Sequence, residues 1–258
     1  MKILTYHMRD FIIISKNKMS PLHDLTLRTM SQYLTRSADT LRELMMVSKR
    51  FYDVRDIFLR SIRLNVDQSS KVFKNKPNGW NKIRRLRLAQ NHPYLIENID
   101  EESIKPLSNV YSLQLIHCDK LVDVTALRNV RRVTLWHCDD IVDVSPLRNA
   151  YKLQFIYCPN ISDVSTLGNV HKVIFWHCYA IKDVSKLGNV RNLIIKYCHG
   201  IKNVSGLETV RDLQLKWCTG ITDVSPLKNM RKLTIDSCSN IRDLDVLTGV
   251  QHLTIITD

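Results

Sequence analysis

The sequence predicts a solenoid: a curved parallel β-sheet whose far side is closed by extended segments and 3₁₀ turns, preceded by a small α-helical module. Three observations predict it. Cysteine returns at Cys118, Cys138, Cys158, Cys178, Cys198, Cys218 and Cys238, always after twenty residues. Each cysteine closes a hexapeptide (LQLIHC, VTLWHC, LQFIYC, VIFWHC, LIIKYC, LQLKWC and LTIDSC) in which apolar residues alternate with others, as a strand with one buried face requires. Residues 20–58 instead space their apolar residues by three and four, the helical period.

The apolar rows continue past each cysteine. Leu121, Ile141, Ile161, Ile181, Ile201, Ile221 and Ile241 form one, Val124 through Leu244 a second and Leu127 through Leu247 a third, all at the same step. Four or five inward positions therefore recur per turn. The run Val130-Arg-Arg-Val133-Thr-Leu135-Trp-His-Cys138-Asp-Asp-Ile141 matches L-x-x-L-x-L-x-x-N/C-x-L, and the chain resembles the leucine-rich repeat over residues 110–258 without an insertion. Upstream, Ile83-Arg-Arg-Leu86-Arg-Leu88-Ala-Gln-Asn91 fits with asparagine at the polar position. Leu59-Arg-Ser-Ile62-Arg-Leu64-Asn-Val-Asp67 fits loosely, for ten strands in a solenoid spanning 59–258.

A twenty-residue turn leaves little room for a helix on the convex side, so extended chain or a 3₁₀ turn is expected there. Asp123, Asp143, Asp163, Asp183, Asn203, Asp223 and Asp243 have side chains suited to cap such turns by accepting from nearby backbone N–H groups. In its DVSPLKN wording the repeat is similar to short internalin-type variants, with cysteine where those carry asparagine.

The seven cysteines invite a chemical reading, which their spacing disfavours. Zinc sites use close pairs such as C-x₂₋₄-C, and none is present, so no metal or other cofactor is expected. An odd count without a secretory signal argues against a disulfide framework and for reduced thiols in an intracellular setting, cytoplasmic or nuclear. The structural reading is a ladder: the thiol packs inward at the turn as a small hydrophobe with a weak donor for a carbonyl. His117-Cys118, His137-Cys138 and His177-Cys178 juxtapose a base and a nucleophile, yet they repeat as parallel rows instead of converging in one pocket. No enzymatic activity is expected.

Residues between the inward ones face the concave sheet and stack into rows. One row carries Arg132, Lys152, Lys172, Asn192, Asp212 and Lys232, with Arg131, His171, Arg191, Arg211 and Arg231 beside it. A second carries Ile116, Trp136, Ile156, Trp176, Lys196 and Lys216, and a third His117, His137, Tyr157, His177, Tyr197 and Trp217. The concave side thus joins a basic edge to an aromatic strip. Arginine and large aromatics anchor protein interfaces, so a protein partner with an acidic surface is the expected ligand. Two alternatives remain: the rings stack only on one another, or they stack single-stranded nucleic acid, for which no recognised motif is present.

The formal net charge is +13, and between Arg55 and Gln90 ten basic residues face only Asp56 and Asp67. Such a block attracts anionic partners or is simply a solvated flank. The apolar run Phe11–Ile14 is far short of the roughly twenty residues a membrane span needs, so no membrane is expected.

The stretch PLHDLTLRTMSQYLTRSADTLRELMMVSKRFYDV, best in Asp39-Thr-Leu41-Arg-Glu-Leu44-Met-Met-Val47-Ser48-Lys49-Arg50-Phe51, resembles an F-box. That family docks on the Skp adaptor of cullin–RING ubiquitin ligases. The resemblance implies an adaptor-binding set of Leu22, Leu25, Leu27, Met30, Leu34, Leu41, Leu44, Val47 and Phe51 in residues 20–58. The opening Pro21-Leu22-His23-Asp24-Leu25 departs from the usual Leu-Pro-x-Glu. The alternative is that these helices only cap the first turn of the solenoid. Residues 1–19 read as a poorly ordered extension, with Met19 a candidate start. The chain ends on a strand, Ile255-Ile256-Thr257-Asp258, which fits a shortened chain, a dimer through that end or a bare edge.

Overall fold

The computed structural model describes residues 63–67, 85–89 and 99–257, with side chains from Ile99 onward except that of Pro106. Residues 1–58, and with them the F-box-like set, lie outside the described residues.

Ten five-residue strands pair in parallel and in chain order, β1 to β10. They are β1 (Arg63–Asp67), β2 (Arg85–Ala89), β3 (Ser112–Ile116), β4 (Arg132–Trp136) and β5 (Lys152–Ile156), followed by β6 (Lys172–Trp176), β7 (Asn192–Lys196), β8 (Asp212–Lys216), β9 (Lys232–Asp236) and β10 (His252–Ile256). From β3 onward each residue pairs with the one twenty positions later: Leu113 with Val133, Leu135 with Phe155, Phe175 with Ile195. This is the leucine-rich-repeat solenoid, a curved sheet backed by 3₁₀ turns. The loose match at the first strand is off by two residues. In that alignment Leu64 stands where Leu88 does, whereas the strands pair Leu64 with Leu86 and Val66 with Leu88.

Seven positions per turn are inward, more than the four or five counted from the pattern. In the turn opening at β4 they are Val133, Leu135, Cys138, Ile141, Val144, Leu147 and Ala150, at most 5% exposed. The position of Ala150, filled by Val110, Val130, Val170, Val190, Val210 and Met230 elsewhere, is the first leucine position of the repeat pattern, where Val130 stands, and it is buried with the rest. Phe155 stacks on Phe175 inside the coil, ring centroids 5.6 Å apart.

The far side repeats one turn geometry. Leu147 N–H donates to Val144 O at 3.0 Å and Ala150 N–H to Leu147 O at 2.9 Å, and the same pair of bonds recurs around the coil. The turns are 3₁₀ at Thr125–Leu127, Ser145–Asn149, Ser165–Asn169, Ser185–Leu187, Ser225–Leu227 and Asp245–Gly249. Ahead of each, a side-chain oxygen accepts from the backbone N–H two residues on, as Asp143 does from Ser145 at 2.8 Å and Asn203 from Ser205 at 2.8 Å. The one turn in the series without a 3₁₀ helix holds Gly206 at φ +86, where a Cβ would stand 2.3 Å from Ser185 O. At the front, Asp100 caps the short helix α1 (Glu101–Ile104) by accepting from Ser103 N–H at 2.9 Å. Glu101 in turn accepts from Val122 N–H at 3.0 Å, tying α1 to the next turn.

Removing one turn cap tests this geometry. Asp143→Ala is expected to cost about 1 kcal/mol in chemical denaturation. Asp140→Ala, three residues earlier in the same turn and without such a bond, is expected to be neutral, and equal losses would refute the capping role.

Candidate functional site: the concave face

The cysteines fix where the outer rows stand. Strand alternation puts Leu135 in and Trp136 out, yet the next inward residue is Cys138, one position late. The slip is absorbed at the residue between: His117, His137, Tyr157, His177, Tyr197, Trp217 and Ser237 all have positive φ, from 49° to 55°. This left-handed backbone is unusual outside glycine and asparagine. It turns the chain so that the thiol faces inward, while the backbone N–H extends the sheet by one bond, as His137 to Ile156 O at 3.0 Å and Tyr157 to Trp176 O at 2.8 Å. The slip is legible in the sequence, as the break in alternation before every cysteine.

All seven thiols are free and buried. Each donates toward main-chain oxygens, such as Cys158 to Leu135 O and Ile156 O at 3.6 Å each, and Cys198 to Lys196 O at 3.3 Å. Burial pushes the Cys158 thiol well up. For Cys178 and Cys218 a hydrogen bond to the next thiol leads and burial adds to it. Cys238 differs: it is 8% exposed, its sulfur accepts from Cys218 N–H at 3.4 Å, and the Cys218 thiol bonded to it draws it down to about 7.

The left-handed residues form one continuous aromatic ladder. Ring centroids are 4.8 Å apart for His117–His137, 4.7 Å for His137–Tyr157, 4.3 Å for Tyr157–His177, 4.5 Å for His177–Tyr197 and 5.7 Å for Tyr197–Trp217. Trp136 stacks on His137 and Trp176 on His177, with centroids 6.4 and 6.2 Å apart. Lys196 lies over the Trp176 ring at 5.6 Å. The rings therefore do stack on one another, and they still present surface: Trp176 is 37% and Trp217 38% exposed. The Trp136 indole N–H is buried and has no hydrogen-bond partner.

The basic edge divides in two. Toward the front, Arg132 lies over Tyr111 at 5.5 Å and both Arg131 and Arg132 lie 5.8 Å from Tyr151, whose ring stacks on His171 at 4.4 Å. Tyr111 and Tyr151 are absent from the rows predicted above, although they sit twenty residues either side of Arg131. Lys152 and Lys172 continue the row half-buried; burial and the charges on Lys172 and Arg132 lower the Lys152 pKa. Toward the back, Arg191, Arg211, Arg231 and Lys232 border an open groove of about 570 Å³. Lys232 pairs with Asp212 at 3.0 Å, and Lys216 with Asp236 at 2.8 Å. Between the two edges runs a row the sequence reading left out, Gln114, Thr134, Gln154, Ile174, Ile194, Gln214 and Thr234, half-buried at the centre of each strand. Plain alternation identifies it. Among the described residues no group of three or more His, Cys, Asp or Glu side chains could hold a metal ion, and no helix is long and apolar enough to cross a membrane.

No family model matches the chain, and no curated protein matches it. Among solved structures it is similar to an internalin, InlF, from Listeria monocytogenes, with 19% identity over 78% of this chain and 68% of that one and a TM-score of 0.46. It is also similar to the functional domain of InlJ from Listeria monocytogenes, which includes a cysteine ladder. Identity there is 13%, over 78% of this chain and 60% of that one, at a TM-score of 0.35. The leucine-rich-repeat domain of the type III effector XopL is 14% identical, with 93% of this chain and 97% of that one covered and a TM-score of 0.44.

Two measurements probe the ladders. On titration of native thiols with an alkylating reagent, Cys238 is expected to react first and the others only on unfolding; rapid modification of all seven would contradict burial. In the ring ladder, partial burial lowers the pKa of His137 and His177 below 6.5, with His117 adding to the first and His199 to the second. The folded chain thus resists protonation more than the unfolded one. Their contribution is complete above 6.5 and is lost as pH falls through the lowered values. The melting temperature is expected to fall between about pH 7 and pH 5. A double variant, His137→Tyr with His177→Tyr, copies the neighbouring rungs and should flatten that slope; an unchanged slope would refute the assignment.

Proposed function

We propose that the chain is a non-enzymatic recognition protein whose concave face binds a protein partner with an acidic surface. The observation that carries this reading is the pairing, on one rigid sheet, of exposed tryptophans with a basic edge. Trp176 and Trp217 are fixed by stacking yet more than a third exposed, so they offer contact area without a further ordering cost. The basic edge supplies steering and orientation toward acidic groups.

The likeness of residues 39–51 to an F-box supports a more specific role, a substrate receptor of a cullin–RING ubiquitin ligase. In that reading the helices of residues 20–58 hold a Skp-type adaptor and the solenoid holds the substrate, inside the cell. The cap-only reading of the same helices makes the opposite prediction on truncation: loss of residues 1–58 would then unfold or aggregate the array.

Affinity purification with quantitative mass spectrometry tests both halves. A Skp-type adaptor is expected with the wild-type chain and absent when Leu41, Val47 and Phe51 are made polar; its persistence would refute the receptor role. Partners of the concave face are expected to fall about tenfold or more in the double variant Trp176→Ala with Trp217→Ala. If every specific partner is retained at wild-type level by the folded double variant, the concave-face reading is wrong.

A further inference from the structure

The back of the basic edge holds a charge arrangement that folding alone does not call for. Arg191, Arg211 and Arg231 occupy the same position of three successive turns. Asp212 N–H donates to Arg191 O and His252 N–H to Arg231 O, both at 3.0 Å, which holds these positions one strand apart. All three side chains are exposed and line the groove of about 570 Å³. At the front of the row, Arg131 and Arg132 lean on Tyr151 and Tyr111. At the back, among the described residues, none of the three arginines lies over a ring as Arg131 and Arg132 do, although His171 and His252 line the same groove. One oxygen of the nearby Asp212 carboxylate pairs with Lys232 at 3.0 Å and the other is buried without a partner. Among the described residues none of the three arginines has an ion pair. Like charges set opposite one another across neighbouring strands destabilise a sheet. The strain registers on the middle residue: the charges on Arg191 and Arg231 lower the Arg211 pKa.

We infer that this column of three arginines binds a phosphate group on an extended segment of the protein partner. The assignment rests on the protein-recognition reading and names the chemistry of its ligand. Spacing selects phosphate over a run of carboxylates. The rungs stand roughly 4.8 Å apart, whereas side chains on one face of an extended peptide recur at about 6.7 Å, so successive carboxylates drift out of step with the column. A carboxylate satisfies one guanidinium fork, while a phosphate dianion presents three strong acceptor oxygens and spans Arg211 and a neighbour at once. Length selects against a nucleic-acid backbone. Three rungs cover roughly 10 Å, and the row then runs into the Tyr151–His171 stack on one side and Gln251 on the other.

The test presents the full chain with three degenerate peptide libraries that differ at one fixed position: phosphoserine, serine or glutamate. At physiological salt the phosphoserine library is retained about tenfold over either of the others. Arg211→Ala lowers that retention about tenfold, and Arg211→Lys, which keeps the charge and loses the fork, restores only part of it. Arg211→Ala removes an exposed like charge, so its melting temperature stays at or above that of the wild type and its loss of retention belongs to the anion. Equal retention of the glutamate library, or of the phosphoserine library by wild type and Arg211→Ala, overturns the phosphate assignment and leaves protein recognition standing. Tighter retention of a single-stranded oligonucleotide of matched charge, with a steep salt dependence, overturns both.

Discussion

A single twenty-residue turn cannot bury its own apolar side chains. Leu153, Phe155, Ile161, Val164 and Leu167 all project to one side of their own backbone and find cover only against the same positions of the turns before and after. Burial worth roughly 1.5–3 kcal/mol per large side chain is therefore available only in register. The last strand shows the rule by exception: Leu253 and Ile255, with a neighbour on one side, are 37% and 39% exposed, while Leu233 and Ile235 one turn earlier are 0% and 3%. Constant turn length follows from this, since one inserted residue would rotate every later row out of line. The inward thiols follow too: a small side chain fits the corner, and its sulfur reaches a carbonyl there.

The same register turns a local cost into a surface. A left-handed residue other than glycine is disfavoured by about 1–2 kcal/mol. Six of the seven such positions carry a ring, and stacked ring pairs contribute roughly 0.5–1.5 kcal/mol beyond their burial. The two magnitudes are comparable, so the ladder offsets much of the strain at its own foot. Ser237, the seventh, has no ring and instead donates to Asp236 at 3.0 Å. The rings are thus structural and exposed at once. A partner meeting them finds them already ordered.

The fold was legible because its signals repeat. Seven cysteines at one step, alternation before each and an Asx residue before each turn specify strands, inward corners and capped 3₁₀ turns without reference to distant contacts. Where repetition fades, so did the reading: at the first strand only Leu64 and Val66 mark the register, and the flanking Ile62 offers a competing frame two residues earlier. The site was legible in its rows and less so in its pairings. That Arg131 would lean on Tyr151, or Lys232 on Asp212, depends on side-chain reach across neighbouring turns, which spacing does not encode. The central row of Gln154, Ile174 and Ile194 carries as clear an alternation signal as the charged and aromatic rows beside it.

Charge on the concave face is distributed with more selectivity than a net value suggests. Strands β8 and β9 carry Asp212 and Asp236, and each neutralises a lysine one turn away, Lys232 and Lys216. Among the described residues both aspartates thus pair with lysines and neither with the arginines of the column, although Asp212 lies next to Arg211. A surface adapted only for solubility gains nothing from this division, because an exposed pair contributes little and an aspartate would relieve the arginine column equally well. The division has a consequence for binding instead: Lys232 is held at the groove by Asp212, and among the described residues the arginines beside it carry no ion pair. Rigidity on the aromatic side and unmatched charge on the basic side are therefore two products of one constraint, identical positions stacked one strand apart.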